Sequence, residues 1–113
     1  MALFAIAVPI VPGKTEATRA FTKELMGQRH DDFKKSRQRI GARERTFLQT
    51  TPHGDFVIVT LEGDNPQQAL SRFGEAKDEF TDWFVEKVKE LHGVDLRNLP
   101  DMPLPELVAD SEA

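Results

Sequence analysis

Apolar residues recur along this chain in two rhythms. The first belongs to short runs. Residues 55–61 read Asp-Phe-Val-Ile-Val-Thr-Leu, five apolar side chains in seven, between His53-Gly54 and Gly63-Asp64-Asn65-Pro66. A run of this length bounded by turn residues predicts a strand. Phe56 and Ile58 point to one side, and Val57, Val59 and Leu61 to the other, so both surfaces are apolar. Residues 3–11 repeat the pattern, with Leu3, Ala5 and Ala7 opposite Phe4, Ile6, Val8 and Ile10. Pro9 and Pro12 offer no ladder N–H, which places this strand at an edge or ends it near Val8. Residues 44–51 form a further strand with Phe47 and Leu48 on opposite faces. The turn Thr51-Pro52-His53-Gly54 folds it into an antiparallel hairpin with 55–61.

The second rhythm is helical. Residues 15–40 predict one long helix, with Phe21, Leu25, Phe33 and Ile40 on its apolar stripe and Gly41 just past its end. Gly27 costs this helix about 1 kcal/mol relative to alanine, so it marks a bend or a close backbone approach. Asn65-Pro66-Gln67-Gln68 starts another helix, capped by Asn65 and carrying Ala69, Leu70 and Phe73 inward. Gly74 interrupts it and Asp78 caps a second segment. There Phe80, Phe84, Val88 and Leu91 form the stripe, Trp83 lies beside it, and His92-Gly93 closes it. Pro100, Pro103 and Pro105 break up the remainder, where 104–108 either adds a short last strand or lies along the partner.

Strand, helix, strand, strand, helix and an optional strand predict an α+β chain. The plan is ferredoxin-like βαββα(β): an antiparallel sheet with its helices on one face. Residues 1–96 form the domain and 97–113 a proline-rich tail. Helices on one face leave an apolar surface bare, and the direct cover is the same face of a second copy, a homodimer. With 113 residues there is room for one domain. No cysteine is present, which removes disulfides and thiolate chemistry and fits a cytoplasmic protein. No apolar run reaches membrane-spanning length, and the apolar start reads as a strand rather than a secretory signal. Charge is uneven: residues 1–61 carry 10 basic and 6 acidic side chains, and 62–113 carry 5 and 13. Opposite signs favour contact between the halves, within a chain or between subunits.

Val11-Pro12-Gly13-Lys14 before the long helix, Thr51-Pro52-His53-Gly54-Asp55 at the hairpin, and Phe80-Thr81-Asp82-Trp83-Phe84 before His92-Gly93-Val94-Asp95-Leu96 carry a resemblance. Over residues 2–96 the chain resembles the dimeric α/β-barrel superfamily. That group includes stress-responsive barrel proteins, antibiotic-biosynthesis-type monooxygenases and haem-degrading monooxygenases, and the likeness is to its small uncharacterised bacterial members. The resemblance implies a ligand cavity between sheet and helices. The haem-degrading members pair a Trp and a His with an Asn on the first strand. Trp83 matches the Trp, but Ala5 and Ala7 stand where an Asn would, so the catalytic set is not reproduced.

Arg29, His30, Phe33 and Trp83 are the candidate pocket residues. Arg29 falls on the helical stripe between Leu25 and Phe33 and suits an anionic or carbonyl-bearing ligand. The plainer account is that Arg29 snorkels outward, His30 serves a core hydrogen bond and Trp83 packs in the core. His53 with Asp55 has the composition of an acid–base couple and equally that of a polar hairpin tip, and His92 at a helix end is a dipole partner. The three histidines show no metal-ligand spacing, and no phosphate-cradling loop or nucleophile elbow is present. Seven of the fifteen cations lie in residues 29–45. With only Phe33 interleaved in an acidic chain, they read as a solvated face rather than a nucleic-acid footprint. The sequence thus points to a homodimer, paired through the sheet, holding a small, largely apolar molecule, with no cofactor, nucleic acid or membrane. The alternatives are a cofactor-independent monooxygenase-like enzyme working at Trp83 and His30, and a structural dimer with a filled core. No catalytic residue is assigned.

Overall fold

The structure, a computed structural model, describes residues 2–100 and 103–112. The chain is α+β. Its elements are β1 (Ala2–Pro9), α1 (Thr15–Met26), α2 (His30–Arg39), β2 (Ala42–Gln49), β3 (Phe56–Gly63), α3 (Pro66–Ser71) and α4 (Glu79–His92). The strands form one antiparallel sheet in the order β1-β3-β2. In register, Ile6 and Thr46 both sit opposite Val59, and Ala7 and Phe47 both sit opposite Ile58. Strand alternation therefore sends Phe4, Ile6, Val8, Ala42, Glu44, Thr46, Val57, Val59 and Leu61 to one face. The core lies there: Phe4, Ala42 and Leu61 pack with Phe21, Leu25, Phe73, Phe80, Phe84 and Leu91 of the helices. Leu61 is wholly buried at the centre of β3, and removing such a side chain from water is worth roughly 1.5–3 kcal/mol.

Among the described residues the opposite face has no such cover. Leu3 is 63% exposed and Phe47 57%; Ala5 and Ala7 are exposed, and Phe56 and Ile58 are half-buried by their strand neighbours. The apolar residues expected on both sides of β3 thus meet two different environments.

One long helix over 15–40 is not what forms. The helix stops at Met26, Gly27 follows at φ −101°, ψ −108°, and α2 begins at His30. The reason lies in the phase of the stripe. Leu25 and Phe33 are eight residues apart, about 80° beyond two full turns, so a straight helix would rotate Phe33 off the core face. The break at Gly27–Arg29 restores it, and the N–H groups of Gly27 and Arg29 both bond the Glu24 carbonyl. The strands differ from the expected limits by one or two residues at their ends. No strand forms at 104–108: among the described residues, the segment 103–112 has no regular secondary structure.

The expected caps are present. The Asn65 side chain accepts from the N–H of Gln68 at 3.1 Å, and that of Asp78 from the N–H of Thr81 at 2.8 Å. Gly93 takes the left-handed φ of +70° at the end of α4, which L side chains rarely adopt. Gly63 is needed for closeness instead, since a Cβ there would run into the Gly41 carbonyl. Asp55 ties the hairpin to α1. It accepts from the Thr15 hydroxyl at 2.6 Å and from the N–H of Thr51 at 3.2 Å. Among the described residues the two oppositely charged halves meet within the chain in four ion pairs: Lys14–Glu90, Arg29–Glu79, Arg39–Asp78 and Arg45–Glu62.

Candidate functional site

Two concavities flank β2. The inner one lies between the covered sheet face and the helices, a cleft of about 160 Å³. Its floor is Ile6, Val8, Val57 and Val59 of the sheet. Its walls are Phe21 and Leu25 of α1, Leu70 of α3, and Phe84 and Val88 of α4. Leu96, Leu99, Pro100 and Leu104 stand at its C-terminal side. The void exists because β2 presents Thr46 here, an exposed residue on the helix-facing side, where a large apolar side chain would have filled the space. Of the four phenylalanines set to fill the core, Phe21 and Phe84 border the void, Phe33 lines the other concavity, and Phe80 packs on Trp83 and Phe84.

Few polar groups reach the inner cleft, and most are already engaged. The hydroxyls of Thr18 and Thr22 donate to the carbonyls of Lys14 and Arg19 at 2.8 and 3.0 Å. That of Thr46 donates to Glu44 Oε2 at 2.7 Å. His92 differs. Its Nδ1 lies 2.8 Å from the Pro9 carbonyl. A carbonyl only accepts, so Nδ1 carries the proton and the neutral ring keeps a lone pair on Nε2. Burial pushes the imidazole pKa below its usual value, against the opposing pull of the Pro9 carbonyl. The ring is thus held neutral in the cleft wall with one free acceptor.

Glu44 borders both concavities and ends in a buried ion pair. Arg37 Nε donates to Glu44 Oε1 at 2.7 Å, and both side chains are 5% exposed. Arg37 Nη1 donates to the Ser36 hydroxyl at 2.8 Å. Its guanidinium carbon lies 3.9, 4.7 and 5.1 Å from the ring centres of Phe73, Phe84 and Phe33. Arg37 Nη2 is buried without a conventional acceptor; the aromatic cage gives the cation its remaining favourable contacts.

The outer concavity is an open groove of about 990 Å³ between α1–α2 and the free edge of β2. His30 and Phe33, two of the four residues proposed from the sequence, line it, together with Met26, Lys34, Arg43, Arg45 and Phe47. Arg29 and Trp83 line neither space. The Arg29 guanidinium lies 4.1 Å from the Trp83 ring centre and pairs with Glu24 at 3.1 Å and Glu79 at 2.9 Å. Those bonds, that to Glu79 foremost, raise the pKa of Arg29, and Arg29 lowers that of Glu24. Trp83 stacks against Phe21 and Phe80, with ring centres 5.1 and 5.8 Å apart. Arg29 is therefore a neutralised clamp from the helix break to α4. His30 and Trp83 do not face a common space, as chemistry on a shared substrate would require.

The His53–Asp55 couple does not form either: the Asp55 carboxylate is taken by Thr15 and Thr51. Among the described residues no cluster of three or more His, Cys, Asp or Glu side chains is placed to hold a metal ion. No helix among them is long and apolar enough to cross a membrane.

The structural roles of two residues escaped the sequence reading. Arg37 carried a usable signal, standing four residues after Phe33 and three before Ile40, on the stripe itself. His92 carried none: its place in the cleft depends on Pro9, 83 residues away in sequence. In comparisons with protein families, curated proteins and solved structures, no family model, curated protein or solved structure matches the chain.

Proposed function

We propose that this protein is a ferredoxin-like α+β barrel that works as a homodimer and holds one small, largely apolar molecule between sheet and helices. The observation that carries the reading is the inner cleft: about 160 Å³, walled by aliphatic and aromatic side chains, with the neutral His92 ring in its wall. An apolar cavity of about 150 Å³ stays dry and takes up a benzene-sized guest, so the occupant is about the size of one ring or a short acyl chain. His92 Nε2 favours a ligand with a single O–H or N–H donor at one end. Support for the dimer comes from the bare sheet face, where Leu3, Ala5, Ala7, Phe47 and Ile58 lack a covering layer. A twofold partner presents the same residues to it.

Native mass spectrometry of the purified protein reads subunit number and any retained ligand together. Titration with toluene and short-chain alcohols, followed by NMR shifts of Val59 and Val88, tests the cleft directly. Val59→Phe fills the space from the centre of β3 and is expected to weaken probe binding at least about tenfold while the chain stays folded. If no probe binds the native chain, and Val59→Phe only stabilises it, the cleft is a packing defect and the proposal fails.

A further inference from the structure

The outer groove follows the edge strand β2, whose far side has no strand paired to it among the described residues. An unpaired edge is a template for an added strand. Two exposed apolar side chains flank it, Met26 at 59% and Phe47 at 57%. Lys34 and Arg43, also on the groove, form no ion pair among the described residues.

The chain carries a segment of matching chemistry. Residues 103–112, Pro-Leu-Pro-Glu-Leu-Val-Ala-Asp-Ser-Glu, form no helix or strand and are exposed throughout, with Leu107 and Val108 at 82% and 83%. Among the described residues their backbone makes no hydrogen bond to the rest of the chain. Glu106, Asp110 and Glu112 make the segment acidic where the groove offers unpaired cations. The other free edge, β1, carries no charged residue over Ala2–Pro9, and Pro9 lacks a donor, so charge selects β2. The segment does not occupy its own chain's groove, since none of its residues lines that space.

We propose that residues 103–112 of a second copy dock as an added strand along β2, seating Leu107 and Val108 against Met26 and Phe47 and pairing their carboxylates with Lys34 and Arg43. Exchange in both directions closes a twofold assembly. This rests on the reading that the protein is a homodimer and supplies a second contact besides the sheet face.

The test uses the full chain. Leu107→Asp with Val108→Asp changes side chains that touch little in their own subunit, and is expected to weaken self-association at least about tenfold by analytical ultracentrifugation. A synthetic peptide of residues 103–112 then binds this variant. Lys34→Glu with Arg43→Glu lowers that binding at least about tenfold and reverses its salt dependence, and a peptide with Glu106→Lys and Asp110→Lys restores it. Unchanged self-association of the tail variant, a peptide that does not bind, or a native chain that stays monomeric overturns the proposal. The Ile58→Lys chain separates it from the sheet-face reading, because peptide binding to that variant reads the β2 edge whatever happens at the face. Leu107 and Val108 do not line the inner cleft, so the tail variant leaves its lining unchanged.

Discussion

The two faces of this sheet each carry an arginine–glutamate pair of the same length, in opposite circumstances. On the covered face Arg37 meets Glu44 at 2.7 Å, both 5% exposed, with the Arg37 guanidinium caged by three phenylalanines. On the bare face Arg45 meets Glu62 at 2.8 Å, with 49% and 33% of their side chains exposed. Geometry alone makes them equals. Burial separates them, because a charge removed from water must be fully compensated by its partner, whereas an exposed one is compensated by solvent. The covered face is therefore where a polar substitution threatens folding, and the bare face is where it costs the single chain little.

The largest effect follows from breaking the buried pair. Arg37→Met leaves Glu44 charged and unpaired in the core and is expected to cost about 3–5 kcal/mol of stability. Arg45→Met is expected to cost less than about 1 kcal/mol. Urea unfolding at one fixed protein concentration reads both, which matters because association shifts apparent stability. Adding Glu44→Leu to Arg37→Met removes the stranded carboxylate, and most of the loss is expected to return. If Arg37→Met and Arg45→Met cost the same, burial does not divide the two faces.

A smaller effect on folding, with a larger one on assembly, is expected at Ile58. This residue lies at the middle of the bare face between Ala7 and Phe47. Ile58→Lys places a charge where a second copy would pack, so the dimer is expected to dissociate. The single chain, measured where it is already monomeric, is expected to change by about 1 kcal/mol or less. With Leu107→Asp and Val108→Asp added to remove the tail contact, an Ile58→Lys chain that still dimerises would mean that the bare face is not the contact. Leu61→Lys, three residues along the same strand, is the contrasting change, because that side chain is wholly enclosed by its own subunit.

How far the sequence carried this picture differs element by element. Strand alternation made Phe56/Ile58 and Val57/Val59/Leu61 legible as two apolar surfaces, and Asn65, Asp78 and Gly93 announced their caps because capping is local chemistry. The break at Gly27 was signalled but read as a bend, since the stripe was followed across it as if the helix were straight. That error moved the candidate site. With the break in place, Phe33 packs on the rim of the core and borders the outer groove with His30, while Arg29 folds onto Trp83. Arg37 sat among cations that read as a solvated face; only Glu44, supplied by a different element, shows it to be buried. The inner cleft was least legible, because a void depends on which side chains fall short of one another, and neither spacing nor composition records that.

The smallest effect concerns His92 and distinguishes the cleft wall from both surfaces. Burial lowers its pKa in the folded chain, so the unfolded chain, with a histidine near pH 6.5, binds the proton more readily. The sign follows from linkage: this contribution to stability is fully present above about pH 6.5 and is lost as pH falls from there through the folded value. Unfolding free energy measured between neutral and mildly acid pH is expected to decline in that window. In His92→Asn, whose amide can still donate to the Pro9 carbonyl, that part of the decline is expected to vanish. Parallel curves for the two chains would assign the decline to other groups. The same proton occupies Nε2, the only acceptor His92 has left, so a ligand donating to it is expected to be released as the fold weakens. Probe binding and stability should then fall together with pH in the native chain and separate in the variant.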